Sequence, residues 1–268
     1  MTNDLHDHYP VTAAQVAQFQ NDGFIKLKNV LSPATLAHYG RVISDEVARR
    51  NTMTKPMAAR TTYEKAFLQI MNIWEENAVV REFVFSQRLA RLAAELMGVR
   101  GVRLYHDQAL YKEPGGGLTP WHADQYYWPV STDNTVTAWI PLQPTPLEMG
   151  PLAFSTGSHK YNVGRELEIS DESEKRISKE LLERGLPQDE TPFDLGEVSF
   201  HYGWTFHRAG ANRSADPRRV MTIIYMEDGC RVIEPKNKNH INDLARWMPG
   251  LKPGDVAASK LNPLLYPV

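Results

Sequence analysis

The sequence predicts a mainly β fold, a β-sandwich or jelly roll, with α-helices packed outside it. One observation is a change of texture near residue 102. The first hundred residues carry helical periodicity with one short strand. After them come short β-rich runs at 102–111, 135–142, 197–202 and 220–226, separated or flanked by the clusters Pro114-Gly115-Gly116-Gly117 and Gly150-Pro151. The other is length: 268 residues is more than one ordinary domain needs, yet decorated all-β domains reach this size as a single unit. A chain this long buries roughly three quarters of its unfolded surface and needs no covalent staples. The expectation is one domain over 1–268: a mostly helical part at 1–100, a jelly-roll core at 102–230 and a C-terminal extension at 231–268.

The elements follow in order. Val16 and Phe19 share a face of a helix that Thr12 caps and Gly23 ends. Phe24-Ile25-Lys26-Leu27 alternates like a strand with one wet face. Ser32-Pro33 is a cap followed by a first-turn proline, opening a helix to about Arg49. Apolar residues recur at helical spacing from Gln87 to Met97, and Gly98 is a natural stop. Residues 161–192 interrupt the β-rich part with a charged, helix-prone insert holding Glu166, Glu168, Asp171, Glu172 and Glu174. Two readings stay open for it, a solvated surface helix and a lid over a cavity.

Composition excludes several classes. Thirty basic and 32 acidic residues balance to −2, which leaves no electrostatic footprint for nucleic acid or an anionic membrane. The lone Cys230 cannot form an internal disulfide, which fits a reducing compartment. The polar N-terminus shows no secretory signal and no run of 18 apolar residues occurs, so a cytoplasmic protein is expected.

Three features point to chemistry. In Trp121-His122-Ala123-Asp124 an imidazole and a carboxylate two residues apart on extended chain point to the same side, so both reach one metal ion. A second histidine on a late β-segment, His201 or His207, completes two histidines and a carboxylate on one face of iron, with positions left open. Beyond it lie Arg218 and Arg219. A guanidinium inside a barrel is costly unless an anion pairs with it, and its planar fork matches a carboxylate. Two adjacent arginines on a strand face opposite ways, so at most one points inward. A dicarboxylate that chelates iron at one end and pairs with arginine at the other explains the set.

With these features the chain resembles the phytanoyl-CoA dioxygenase family of iron(II)- and 2-oxoglutarate-dependent oxygenases. The resemblance runs through most of the chain. It includes Gln18-Phe19 through Gly23-Phe24 with Val30-Leu31-Ser32, the segment from Leu104 to Gly117, Gly150-Pro151-Leu152 with Gly157-Ser158-His159, and His207-Arg208-Ala209-Gly210-Ala211-Asn212-Arg213-Ser214 followed by Arg218, eleven residues past His207. It implies a double-stranded β-helix core (jelly-roll, cupin-like), His207 rather than His201 as the distal ligand, and Arg218 rather than Arg219 on the far carboxylate of 2-oxoglutarate. Gln108, Tyr111 and Trp139 are further candidates for the cosubstrate. Tyr126, Tyr127, Trp128 and Trp204 are candidates to wall a substrate pocket. His201, Asn212 and Ser214 are candidates to support the site from behind, the last two by fixing the turn after His207. His106 and His159 are left as structural. Glu197 stands where many relatives have aspartate in a Gly-Asp turn, and Ala209 where some have a serine for the cosubstrate.

The activity the resemblance implies is oxidation, most simply hydroxylation, of an unactivated C–H bond in a small or medium-sized organic metabolite. It would use Fe(II), 2-oxoglutarate and O2 and release succinate and CO2. The intact Asp124 disfavours halogenation, because halogenating relatives replace that ligand by a small residue. Two alternatives remain at this point: a redox-neutral cupin-like metalloenzyme, and a catalytically inactive member acting as a binding module.

Overall fold

The computed structural model describes residues 4–267. In chain order the elements are α1 (Ala13–Asp22), β1 (Phe24–Leu27), α2 (Pro33–Arg50), α3 (Thr62–Ala66), β2 (Leu68–Met71), α4 (Ala78–Val84), α5 (Gln87–Met97), β3 (Val102–Lys112), β4 (Thr119–His122), β5 (Thr135–Pro141), β6 (Leu152–Ser155), α6 (Asp171–Glu183), β7 (Gln188–Asp189), β8 (Val198–Tyr202), β9 (His207–Ala209), β10 (Arg218–Glu227), α7 (Lys238–Trp247) and β11 (Leu264–Tyr266). The strands form two antiparallel sheets. The larger runs β1-β8-β5-β10-β3-β11 with β2 also on β3, and the smaller runs β4-β9-β6-β7. This is the jelly roll that the sequence predicts.

Local signals behave as chemistry dictates. Thr12 closes a capping box with Gln15, and Gly23 ends α1 in the left-handed region. Ser32 caps α2 ahead of Pro33. In α5, Leu89, Leu92, Ala93 and Leu96 form a fully buried face, each leucine contributing about 1.5–3 kcal/mol of burial.

Side-chain alternation in the large sheet divides the molecule into a helix-facing core and an inner cavity. On β10, Met221, Ile223 and Tyr225 join Val136, Ala138 and Ile140 of β5 and Val198 and Phe200 of β8 in one core against α1, α2, α4 and α5. The residues between them, Arg218, Thr222, Thr137, Trp139 and His201, line a cavity between the sheets.

β1 departs from the expectation of a wet face. Ile25 and Leu27 enter the main core while Phe24 packs between the sheets. Lys26 lies over the Phe193 ring at 3.8 Å, its ammonium donating to Thr191 Oγ1 and the Pro192 carbonyl. The insert helix α6 is not merely solvated. Ile177 and Leu181 pack on Trp121 of β4 and on Phe206, just before β9, and Glu174 accepts the Trp121 amide. The C-terminal segment closes one end of the barrel: Trp247, Met248 and Ala257 pack with Tyr105, Trp128 and Met226. No helix among the described residues is long and apolar enough to cross a membrane.

Gly150 has φ +67°, and a Cβ there would lie 2.2 Å from the Gly210 carbonyl oxygen. Its own carbonyl accepts from Arg218. Gly150→Ala is therefore expected to destabilise the fold by about 2 kcal/mol or more. In a chain of this size that is a fall of roughly 4–8 °C in Tm, measurable by thermal unfolding.

Candidate metal centre and cosubstrate site

The site is assembled by pairing the ends of two short strands. β4 ends at His122 and β9 begins at His207, and these residues are direct partners across the antiparallel ladder. Each imidazole is aimed by its backbone: His122 Nδ1 donates to the Pro120 carbonyl at 2.7 Å, and His207 Nδ1 to the Thr205 carbonyl at 3.0 Å. A carbonyl only accepts, so Nδ1 carries the proton on both rings and each Nε2 presents a lone pair. Asp124 follows β4 on a turn of 3₁₀-helix, its Oδ1 3.5 Å from His122 Nε2 and 3.6 Å from His207 Nε2. The ligand atoms of His122, Asp124 and His207 all lie within 4.8 Å of one another. Burial opposes ionisation of Asp124, but the facing imidazoles outweigh it and hold the carboxyl well below the usual range. Burial, reinforced by the His122 ring, keeps His207 neutral. An ionised carboxylate and two imidazoles converging on one point make a donor set for iron(II).

Thr137 on β5 donates to Asp124 Oδ2 at 3.0 Å and orients the carboxylate. Thr137→Val is expected to weaken iron(II) binding about 10- to 100-fold with the fold intact, checked by metal titration. His201 Nε2 lies 3.5 Å from the same Oδ2 and its ring stands 4.4 Å from that of His207. His122 lies nearer the other oxygen, Oδ1, and neither ring nitrogen of His201 has a hydrogen-bond partner among the described residues.

Arg218 enters the cavity from the start of β10, with 1% of its surface exposed. One terminal nitrogen donates to the Gly150 carbonyl, while Nε has no hydrogen-bond partner and no carboxylate pairs with the group among the described residues. Its guanidinium carbon lies 5.4 Å from the centroid of the Trp139 ring. Burial pulls its pKa down to about 9, which leaves it charged at neutral pH. Lys112, its partner across β3–β10, is equally buried, and its Nζ donates to the Gly117 and Gly210 carbonyls and Thr119 Oγ1. Arg219 points the other way and bonds Gln143. Burial and the neighbouring Arg218 charge pull the Lys112 pKa down to about 6, so Arg218 is the buried cation at neutral pH, and without a protein carboxylate it creates a strong demand for an anion.

The other candidates separate by strand parity. Gln108 lines the cavity and accepts from Gln69, whereas Tyr111, three residues on, faces the helices and bonds Ser44 Oγ at 2.8 Å. Tyr111 is thus corrected to a core position, because an odd separation on a strand changes face. Trp139 lines the cavity. Of the four aromatics, Tyr127 and Trp128 reach it and Tyr126 and Trp204 do not. In the 3₁₀ turn Asp124 and Tyr127 eclipse one another, so Tyr126 is rotated away, and Trp204 is tied to Asp133 and covered by Arg165. Asn212 holds the turn after β9, donating to the Lys112 and Asp216 carbonyls and accepting from Ser214. Glu197 accepts the Asp194 amide, as a turn carboxylate should. Sequence reasoning missed Lys112, Thr137, His106 and the face of α7. The signal for the first and third was the alternation His106, Gln108, Leu110, Lys112 along β3.

The model of the phytanoyl-CoA dioxygenase (PhyH) family matches residues 19–220, three quarters of the chain. The chain belongs to the phytanoyl-CoA dioxygenase family. Among its relatives in this family, it is 29% identical over 150 residues to a probable alpha-ketoglutarate-dependent hypophosphite dioxygenase of Stutzerimonas stutzeri, covering 54% of this chain and 52% of that protein. It is 26% identical over 192 residues to an ectoine dioxygenase of Streptomyces anulatus, covering 68% and 62%. The match therefore spans about half to three fifths of these relatives' length. Among solved structures, the epimerase SnoN in complex with Fe3+, alpha ketoglutarate and nogalamycin RO overlays with TM-score 0.78 at 25% identity, covering 94% of this chain and 97% of that one.

Proposed function

We propose that the protein is an iron(II)- and 2-oxoglutarate-dependent oxygenase that hydroxylates a C–H bond of a small or medium-sized organic metabolite. The observation that carries this reading is the buried, unpaired guanidinium of Arg218 in the same cavity as the His122, Asp124 and His207 cluster. A metal protein without a dicarboxylate ligand has no use for that charge, and burying it unpaired costs several kcal/mol. The PhyH family match and the relatives named as dioxygenases support the same reading.

In this proposal His122, Asp124 and His207 hold iron(II). Bound iron supplies the chemistry in which 2-oxoglutarate and O2 become succinate and CO2 while one oxygen atom enters the substrate C–H bond. Arg218 pairs with the distal carboxylate of 2-oxoglutarate and sets its direction, while Lys112 holds the Thr119 hydroxyl from behind. Trp139 and Leu152 wall that end of the cavity with apolar surface and exclude water. Thr137 keeps the Asp124 carboxylate turned toward the imidazoles.

The test is anaerobic. Iron(II) followed by 2-oxoglutarate should give a visible metal-to-ligand charge-transfer band that His207→Ala abolishes and His201→Ala retains. Metal binding without the band would reject the oxygenase reading in favour of redox-neutral chemistry. With the band established, succinate release identifies substrates.

A further inference from the structure

The cavity extends past the metal cluster to a wall that the proposed reaction does not use. β3 is bulged there: Ile224 of β10 faces His106 while Tyr225 faces Leu104, which leaves Tyr105 unpaired. A bulge re-aims side chains, and here two sequence neighbours turn toward the same end of the barrel. His106 lines the cavity, 4% exposed, and its Nδ1 has no partner among the described residues. The Tyr105 hydroxyl donates to Asp243 Oδ2 at 2.9 Å, which leaves Oδ1 without a partner among the described residues.

Asp243 belongs to α7, which presents Asn239, Asn242, Asp243 and Arg246 to the cavity. The spacing i, i+3, i+4, i+7 is one helix face. Burial pushes the Asp243 carboxyl up to about 7, against the pull of the Tyr105 hydrogen bond and Arg246. The Arg246 guanidinium lies over the Trp247 ring, 4.3 Å from its centroid, rather than on Asp243. This helix falls outside residues 19–220, the part shared with the family model.

The donor and acceptor inventory selects a ligand class. A hydrocarbon or acyl chain would leave Asp243 Oδ1 and His106 Nδ1 without partners. An ammonium would suit Asp243 but meet Arg246 one helical turn away. A hydroxyl both donates and accepts, so neighbouring hydroxyls satisfy a carboxylate, a guanidinium and carboxamides together. The C–H face of a saturated ring also suits the ring of Tyr127, which lines the cavity.

We infer that the α7 wall, with Asp243 as its central acceptor, binds a polyhydroxylated ring of the substrate, a sugar or cyclitol either free or carried as a glycoside. The inference rests on the oxygenase reading for its purpose, which is to turn a C–H bond of that ring or its aglycone toward the metal cluster. Asp243, Arg246 and His106 are then specificity-determining residues.

The experiment uses the full chain with iron(II) and 2-oxoglutarate under anaerobic conditions. Affinities are measured calorimetrically for myo-inositol, the epimeric methyl hexosides, the corresponding phenyl hexosides, and the matched deoxygenated probes cyclohexanol and phenyl cyclohexyl ether. At least one hydroxylated probe should bind about tenfold or more tightly than its match, and Asp243→Asn and Arg246→Met should each weaken it roughly ten- to hundredfold without changing the match. Binding confined to the phenyl hexosides assigns a glycoside; equal binding of myo-inositol or methyl hexosides assigns the free ring. The inference is overturned if no hydroxylated probe exceeds its match, or if neither variant changes the preference. Arg246 is exposed, so its variant decides the matter should Asp243→Asn fold poorly. The charge-transfer band is recorded on the same samples. Its absence in the wild type rejects the oxygenase reading, whereas its presence without ring binding rejects only this inference.

Discussion

Arg218→Met should raise the apparent Kd for 2-oxoglutarate roughly 30- to 1000-fold, equivalent to about 2–4 kcal/mol for removing one partner of a buried charge pair. The same change should not lower the stability of the ligand-free protein, and this opposite sign makes the test specific. Burial holds the Arg218 pKa down at about 9, below its ordinary value, so the folded state bears the cost of an unpaired charge at every pH below that. Methionine removes the charge and retains apolar volume beside Trp139. Thermal unfolding should therefore give an unchanged or higher Tm without ligand. It should also show loss of the upward shift that saturating 2-oxoglutarate produces in the wild type. Arg219→Ala, at an exposed position that points away from the cavity on the same strand, is the control and should leave both quantities unchanged. A Kd unchanged by Arg218→Met would remove the dicarboxylate from the proposal.

Asp124→Ala should abolish substrate-coupled succinate release and weaken iron(II) by more than the roughly 100-fold at which outer partners of a metal ligand act. Two imidazoles remain in that variant with no negative charge to balance a divalent ion. His207→Ala should do the same from the other strand. His201→Ala should retain metal, because the lone pairs presented by His122 and His207 are set by their own backbone carbonyls and not by His201. Metal titration followed by substrate-dependent succinate release checks all three. Coupled turnover by Asp124→Ala would sink the proposed donor set.

The two arginines show how far the sequence reaches. That at most one of Arg218 and Arg219 faces inward follows from the period of two along a strand. Which one does so depends on where β10 sits between β5 and β3, and that is a tertiary fact. Gln108 and Tyr111 divide in the same way. Parity alone forbids both from facing the cavity, but only the helix layer over Tyr111 shows which is excluded. Tyr126 and Tyr127 were indistinguishable as neighbours until the 3₁₀ turn placed Tyr127 on the side of Asp124.

Local signals determined much of the molecule on their own. The caps at Thr12 and Ser32, the stops at Gly23 and Gly98, the long strands, and the motif from His122 to Asp124 all act within a few residues, where backbone chemistry is decisive. The tertiary structure alone decided the pairing of β4 with β9 that brings His122 to His207, the packing of α6 onto the small sheet, and the polar face of α7 on the cavity. It also decided that Lys112 and His106 are buried and Asp243 half-buried. Each of these is a contact between residues distant in sequence, and burial of a charge or an imidazole is a property of what surrounds it rather than of the residue itself.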